Sequence, residues 1–138
     1  MIKSWYSVFI LIFFLICISV LIQNSNKYSA KDFYGVWNSE YKNYKIKLEL
    51  KDNKNCSLSI FSLLSNKIQK INGSCNLDLT KKPNTFKMTN IIELNSPLYS
   101  IVFLENNSTL HMSEFSSRWR IRPIEFENNK KIVFKKEF

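Results

Sequence analysis

Residues 5–22 form a run of eighteen residues without a charged side chain, preceded only by Met1, Ile2, Lys3 and Ser4. As an α-helix rising 1.5 Å per residue this run is about 27 Å long, enough to cross the hydrocarbon of a bilayer. It is apolar all round and lacks the 3.6-residue stripe of a helix packed on a globular core. Everything behind it is polar, basic and patterned like β-structure. The chain therefore divides into a short tail at 1–4, a transmembrane signal anchor at 5–23, a linker at 24–32 and a β-domain at 33–138.

A cleaved signal peptide has a shorter apolar stretch and small residues at the cut. Here Tyr28-Ser29-Ala30 sets a bulky side chain where a small one is needed. Phe14-Leu15-Ile16-Cys17 likewise sets Ile where a lipoprotein site needs a small residue. The segment reads as a retained anchor; cleavage would instead make the domain a secreted protein. Lys3 and the α-amino group lie before the run, Lys27 and Lys31 after it, so the positive-inside bias is nearly balanced. An N-terminal anchor with a long soluble tail usually translocates that tail, which predicts an extracytoplasmic (periplasmic or extracellular) domain.

The formal charge is +9, and with Lys3 the only charged side chain among residues 1–26, the remainder holds +8. Such a domain is drawn to anionic surfaces. The expected partners are the membrane and an acidic protein or a small apolar ligand, not nucleic acid. Part of the lysine content reflects a Lys/Asn/Ile-rich coding bias. Two glycines in the whole chain leave no material for a glycine-rich phosphate loop, which argues against nucleotide chemistry. Cys56 and Cys75 have two readings. In an oxidising compartment they would form a disulfide worth about 3 kcal/mol in chain entropy. Otherwise they are two free thiols on inward strand positions.

Tyr44-Lys45-Ile46-Lys47-Leu48-Glu49-Leu50-Lys51 alternates apolar and charged residues without a fault, the mark of a strand with one wet face. Cys56, Leu58 and Ile60 continue the period, as do Ile71, Gly73, Cys75, Leu77 and Leu79. Further strands are predicted over 86–94, 98–104, 109–113, 118–126 and 132–135, separated by polar breaks. No convincing helical stripe follows residue 30. The fold class is all-β, a small antiparallel up-and-down barrel or sandwich of about eight strands, preceded by one transmembrane helix.

The domain opens Phe33-Tyr34-Gly35-Val36-Trp37. This G-x-W at the head of a β-meander resembles the lipocalin-like group of small barrels. The resemblance implies that Trp37 plugs one end of the barrel with an arginine across it. Arg120 is the candidate, from a face also carrying Arg118 and Arg122. It further implies an interior lined by Tyr44, Ile46, Leu48, Leu58 and Ile60 that holds an apolar small molecule.

Arg118, Arg120 and Arg122, at strand spacing, read as a basic surface able to grip carboxylate or phosphate groups. They also read as a solvated outer face, or with one of them capping the barrel. His111, the only histidine, has no Cys or carboxylate neighbours at metal-ligand spacing, and no nucleophile-elbow sequence surrounds any Ser. Glu93, Glu105, Glu114, Glu125 and Glu127 are scattered among basic residues like ordinary surface charge. The sequence thus predicts no metal, no cofactor and no enzymatic activity. The first expectation is a membrane-anchored module that binds an apolar small molecule. The alternative is an envelope protein-interaction module, such as an assembly factor or an immunity-type inhibitor, acting through its basic surface.

Overall fold

The computed structural model describes residues 28–138 and, before them, Ile12 alone. The predicted anchor lies, apart from Ile12, outside the described residues, among which no helix is long and apolar enough to cross a membrane. A 3-10 turn at Ala30–Phe33 leads into eight antiparallel strands that close into a barrel in simple sequence order. They are β1 (Gly35–Tyr41), β2 (Tyr44–Leu50), β3 (Asn55–Ser62), β4 (Ile68–Asp78), β5 (Asn84–Thr89), β6 (Leu98–Asn106), β7 (Thr109–Ser113) and β8 (Lys131–Glu137). Of the two predicted architectures, the barrel is the one that forms.

The alternating pattern sets the register. Trp37 pairs with Leu48 across β1 and β2, and Leu48 with Leu58 across β2 and β3, so one apolar set points at the axis. Leu110 and Met112 face inward from β7, opposite Phe134 and Ile132 of β8. The two glycines permit close approaches. Gly35 has φ +131°, and a Cβ there would lie 2.8 Å from Lys136 Cε. A Cβ on Gly73 would lie 2.5 Å from the Thr89 carbonyl oxygen.

Antiparallel alternation gives the barrel two unlike rims. The β2–β3, β4–β5 and β6–β7 connections share one rim with the beginning and the end of the domain. Here Phe33 and Trp37 are buried, and Trp37 Nε1 donates to the Phe33 carbonyl oxygen at 2.8 Å. The β1–β2, β3–β4, β5–β6 and β7–β8 connections form the other, loop-bearing rim.

Two predicted strands are corrected. The segment 118–126 is not a strand: it lies in the β7–β8 connection, with a 3-10 turn at Trp119–Ile121. Its alternation has no free edge to join, because β7 already pairs with β6 and β8 and the barrel is closed by β8 on β1. Pro123 also lacks the N–H that a ladder needs. This connection is pinched at its base by Glu114 N–H donating to the Lys130 carbonyl at 2.9 Å. It lies back on β6 through two main-chain hydrogen bonds between Ser116 and Tyr99, of 2.8 and 2.9 Å. The second correction is β5, which stops at Thr89 instead of 94. Asn90 takes φ 55°, and Ile91 then turns into the core beside Gly73 and Met88.

Candidate functional site

The lipocalin-like resemblance implies a ligand in the barrel interior. Ile46 pairs with Ile60 and Leu48 with Leu58, so these four positions do share the inner face. Tyr44 is 43% exposed at the loop rim and does not line the interior. The space between the strands is taken by the protein's own side chains. Trp37, Leu48, Met88 and Phe134 are 0% exposed, and Leu58, Phe86, Leu110 and Met112 are 1% exposed. Side chains inaccessible even to water border no void a ligand could enter. Leu48 and Leu58 act as core residues.

Cys56 and Cys75 are joined by a disulfide with Cα atoms 5.8 Å apart, within the usual span of such bridges. It ties β3 to β4 beside Gly73.

The arginines are differently placed from the strand face predicted for them. Arg118 and Arg120 are exposed on the β7–β8 connection, and Arg120 is not the plug's partner. Arg122 lies over the Trp119 ring, its guanidinium carbon 3.5 Å from the ring centroid, and donates from Nη1 to the Trp119 carbonyl at 3.2 Å. Tyr99 meets the same indole edge-to-face at 5.4 Å. Trp119 is thus held from two sides yet remains 49% exposed. The cation over Trp37 is Lys136 of β8, its Nζ 5.0 Å from the ring and 3.3 Å from the Asp32 carbonyl. The expected cation is an arginine; the one found is a lysine. The cue was the register of the last strand, whose alternation from Ile132 and Phe134 puts Lys136 on the inner face.

A polar cluster fastens the loop rim. Glu114 Oε1 lies 2.6 Å from Lys42 Nζ and accepts the Tyr41 hydroxyl at 2.7 Å, and the same hydroxyl is 2.8 Å from the Asn129 carbonyl. The hydrogen bond from Lys42, then that from Tyr41, holds the Glu114 carboxyl below the ordinary glutamate range. Single-sequence reading treated Glu114 as ordinary surface charge, because its partners are more than seventy residues away. On the outer wall, His111 Nε2 is 2.8 Å from Glu105 Oε2 and its ring is 5.9 Å from that of Phe103. The contact is a hydrogen bond whose direction depends on the imidazole tautomer. Among the described residues no group of three or more His, Cys, Asp or Glu is placed to hold a metal.

The exposed apolar side chains are unevenly spread. The β3–β4 turn carries Leu63 and Leu64, the β5–β6 connection carries Ile92, and the β7–β8 connection carries Trp119, Ile121 and Ile124. Leu64 is 79% exposed and Ile92 is 93% exposed. Among the described residues, the connections of the opposite rim expose no large hydrophobic side chain; only the terminal Phe138 is bare there. No protein-family model, curated protein or solved structure matches this chain.

Proposed function

We propose that this chain is a membrane-tethered, non-enzymatic interaction module whose barrel, on the extracytoplasmic side, docks an acidic protein partner through its loop-bearing rim. The observation that carries this reading is the exposure of Leu64, Trp119 and Ile121 on the β3–β4 and β7–β8 connections, which leave the barrel at the rim opposite the one where the domain begins. A tether joined ahead of residue 28 leaves that rim facing away from the bilayer. Trp119, wedged between Tyr99 and Arg122 and flanked by Arg118 and Arg120, has the aromatic and arginine composition of interface hot spots. Guanidinium groups in that setting favour carboxylates. The Cys56–Cys75 bridge supports an oxidising compartment.

The plug of Gly35, Trp37 and a cation supports a lipocalin-like architecture, with Lys136 in the role the resemblance gave to an arginine. An apolar ligand inside the barrel fits less well, because the side chains facing the axis already fill it. The test is a triple variant of the full chain, Arg118→Glu, Trp119→Ser and Arg120→Glu, compared with the unaltered protein in capture from native membranes. A partner recovered only by the unaltered chain, with the variant still folded by circular dichroism, is the expected result. A partner held equally by both overturns this surface assignment.

A further inference from the structure

The outer wall carries a groove of about 600 Å³ that reaches from the β1–β8 seam to Phe61 and Ile68 at the base of the β3–β4 turn. It runs across the outer faces of β8, β1, β2 and the β3–β4 hairpin. Its position follows from how the barrel closes. The β1–β2 ladder has seven pairs, whereas β1 and β8 pair only at Val36–Glu137, Trp37–Lys136 and Asn38–Lys135. Beyond that point Ser39 Oγ donates to the Val133 carbonyl at 2.6 Å, so a side chain stands where the ladder has ended. The groove lies along this seam.

Its lining combines apolar side chains, lysines and one carboxylate, that of Glu40. Phe61, Ile68 and Val133 give an apolar surface, with Ile68 and Val133 turned to solvent. Lys45, Lys47 and Lys135 stand among them. Lys45 Nζ is 3.5 Å from Glu40 and Lys47 Nζ is 3.2 Å from Glu137, in pairs whose members are all at least half exposed. Exposed pairs of this kind contribute little and exchange readily for another anion. Lys135 Nζ donates to the neutral Thr109 hydroxyl at 2.8 Å. Three ammonium groups beside an apolar trough of ligand size complement a molecule with one anionic head and one long apolar tail.

We propose that this groove binds a single-chain anionic amphiphile, a long-chain fatty-acid carboxylate. Its tail lies on Phe61, Ile68 and Val133, and its carboxylate lies among Lys45, Lys47 and Lys135. The site does not include Arg118, Trp119 or Arg120. The test uses the full chain on zwitterionic nanodiscs and a photoreactive diazirine analogue of palmitate, with labelled peptides mapped by mass spectrometry and empty nanodiscs as blank.

Label is expected on the peptides carrying Phe61 to Ile68 and Val133. Replacing Lys45, Lys47 and Lys135 together by Ala should lower it about tenfold or more, the weight of charge-assisted hydrogen bonds lost. The methyl ester of the same probe should label as weakly as that variant. Ile68→Glu with Val133→Glu, at positions outside the core, should abolish labelling, whereas the triple variant of the loop rim should leave it unchanged. Label found on other surfaces, equal labelling by acid and ester, or labelling indifferent to both groove variants overturns the proposal.

Discussion

The two rims of this barrel are built from the same alternating strands, yet they end in opposite ways. At the plugged rim Phe33 and Trp37 close the interior, the indole N–H is satisfied by a main-chain carbonyl, and Lys136 lies over the ring. At the loop rim the apolar side chains point outward, and the fastening is polar, through Tyr41, Lys42 and Glu114. The difference teaches that the first rim serves stability and the second carries surface. Burial of a whole tryptophan contributes several kcal/mol, while an exposed isoleucine contributes almost nothing to folding.

The sharpest way to break this comparison is Trp37→Ala. It removes the largest fully buried side chain and should cost about 3–5 kcal/mol, read as a lowered midpoint in chemical denaturation. A loss below about 1 kcal/mol would mean that the plug is not the keystone described. Next comes the bridge. Replacing Cys56 and Cys75 by Ala, with 19 residues of separation, should cost about 3 kcal/mol by loop entropy. The hairpin fastened by the bridge should loosen while the plug keeps its hydrogen-exchange protection. Lys136→Met keeps the aliphatic stem and removes both the cation–π contact and the hydrogen bond to the Asp32 carbonyl, and a loss of about 1 kcal/mol is expected.

The smallest effect is confined to the loop rim and follows pH. Glu114 has its carboxyl held below the ordinary value of 4.5 by Lys42 and Tyr41. Its stabilising contribution is therefore fully present above 4.5 and is lost as pH falls from there through the lowered folded value. Hydrogen exchange across residues 114–130, corrected for intrinsic rate, should rise over that window while residues 33–37 stay protected. Glu114→Gln should show the loosened loop already at neutral pH. Equal loosening of both rims on acidification would contradict a locally acting fastening.

Much of the fold was legible because its signal is local. The unbroken alternation from Tyr44 to Leu50 gave β2 and its inner face, and Leu110 and Met112 placed β7 within the predicted bounds 109–113. What misled was alternation without a partner. Arg118, Trp119, Arg120 and Ile121 repeat with period two, but strand formation needs a free edge, and barrel closure had used every one. The basic surface survives as exposed charge on a loop, not as a ladder of guanidinium groups. The interior residues Leu48 and Leu58 were located correctly, yet an alternating pattern says only which face is apolar. Whether that face meets a ligand or the opposite wall depends on volumes contributed by Phe86, Met88 and Phe134, far away in sequence. Lys136, Glu114 and the groove along the β1–β8 seam were hidden for the same reason, since each is defined by contacts between the two ends of the domain.

Under the proposed function the loop rim, and not the plugged rim, meets the partner. This is tested most directly by placing a photoreactive amino acid in the full chain, one site at a time, in native membranes. Leu64 and Trp119 represent the loop rim; Lys54 and Lys81 represent the plugged rim. One discrete protein adduct is expected from Leu64 or Trp119 and none from Lys54 or Lys81. Adducts arising from Lys54 or Lys81, with Leu64 and Trp119 silent, would contradict it.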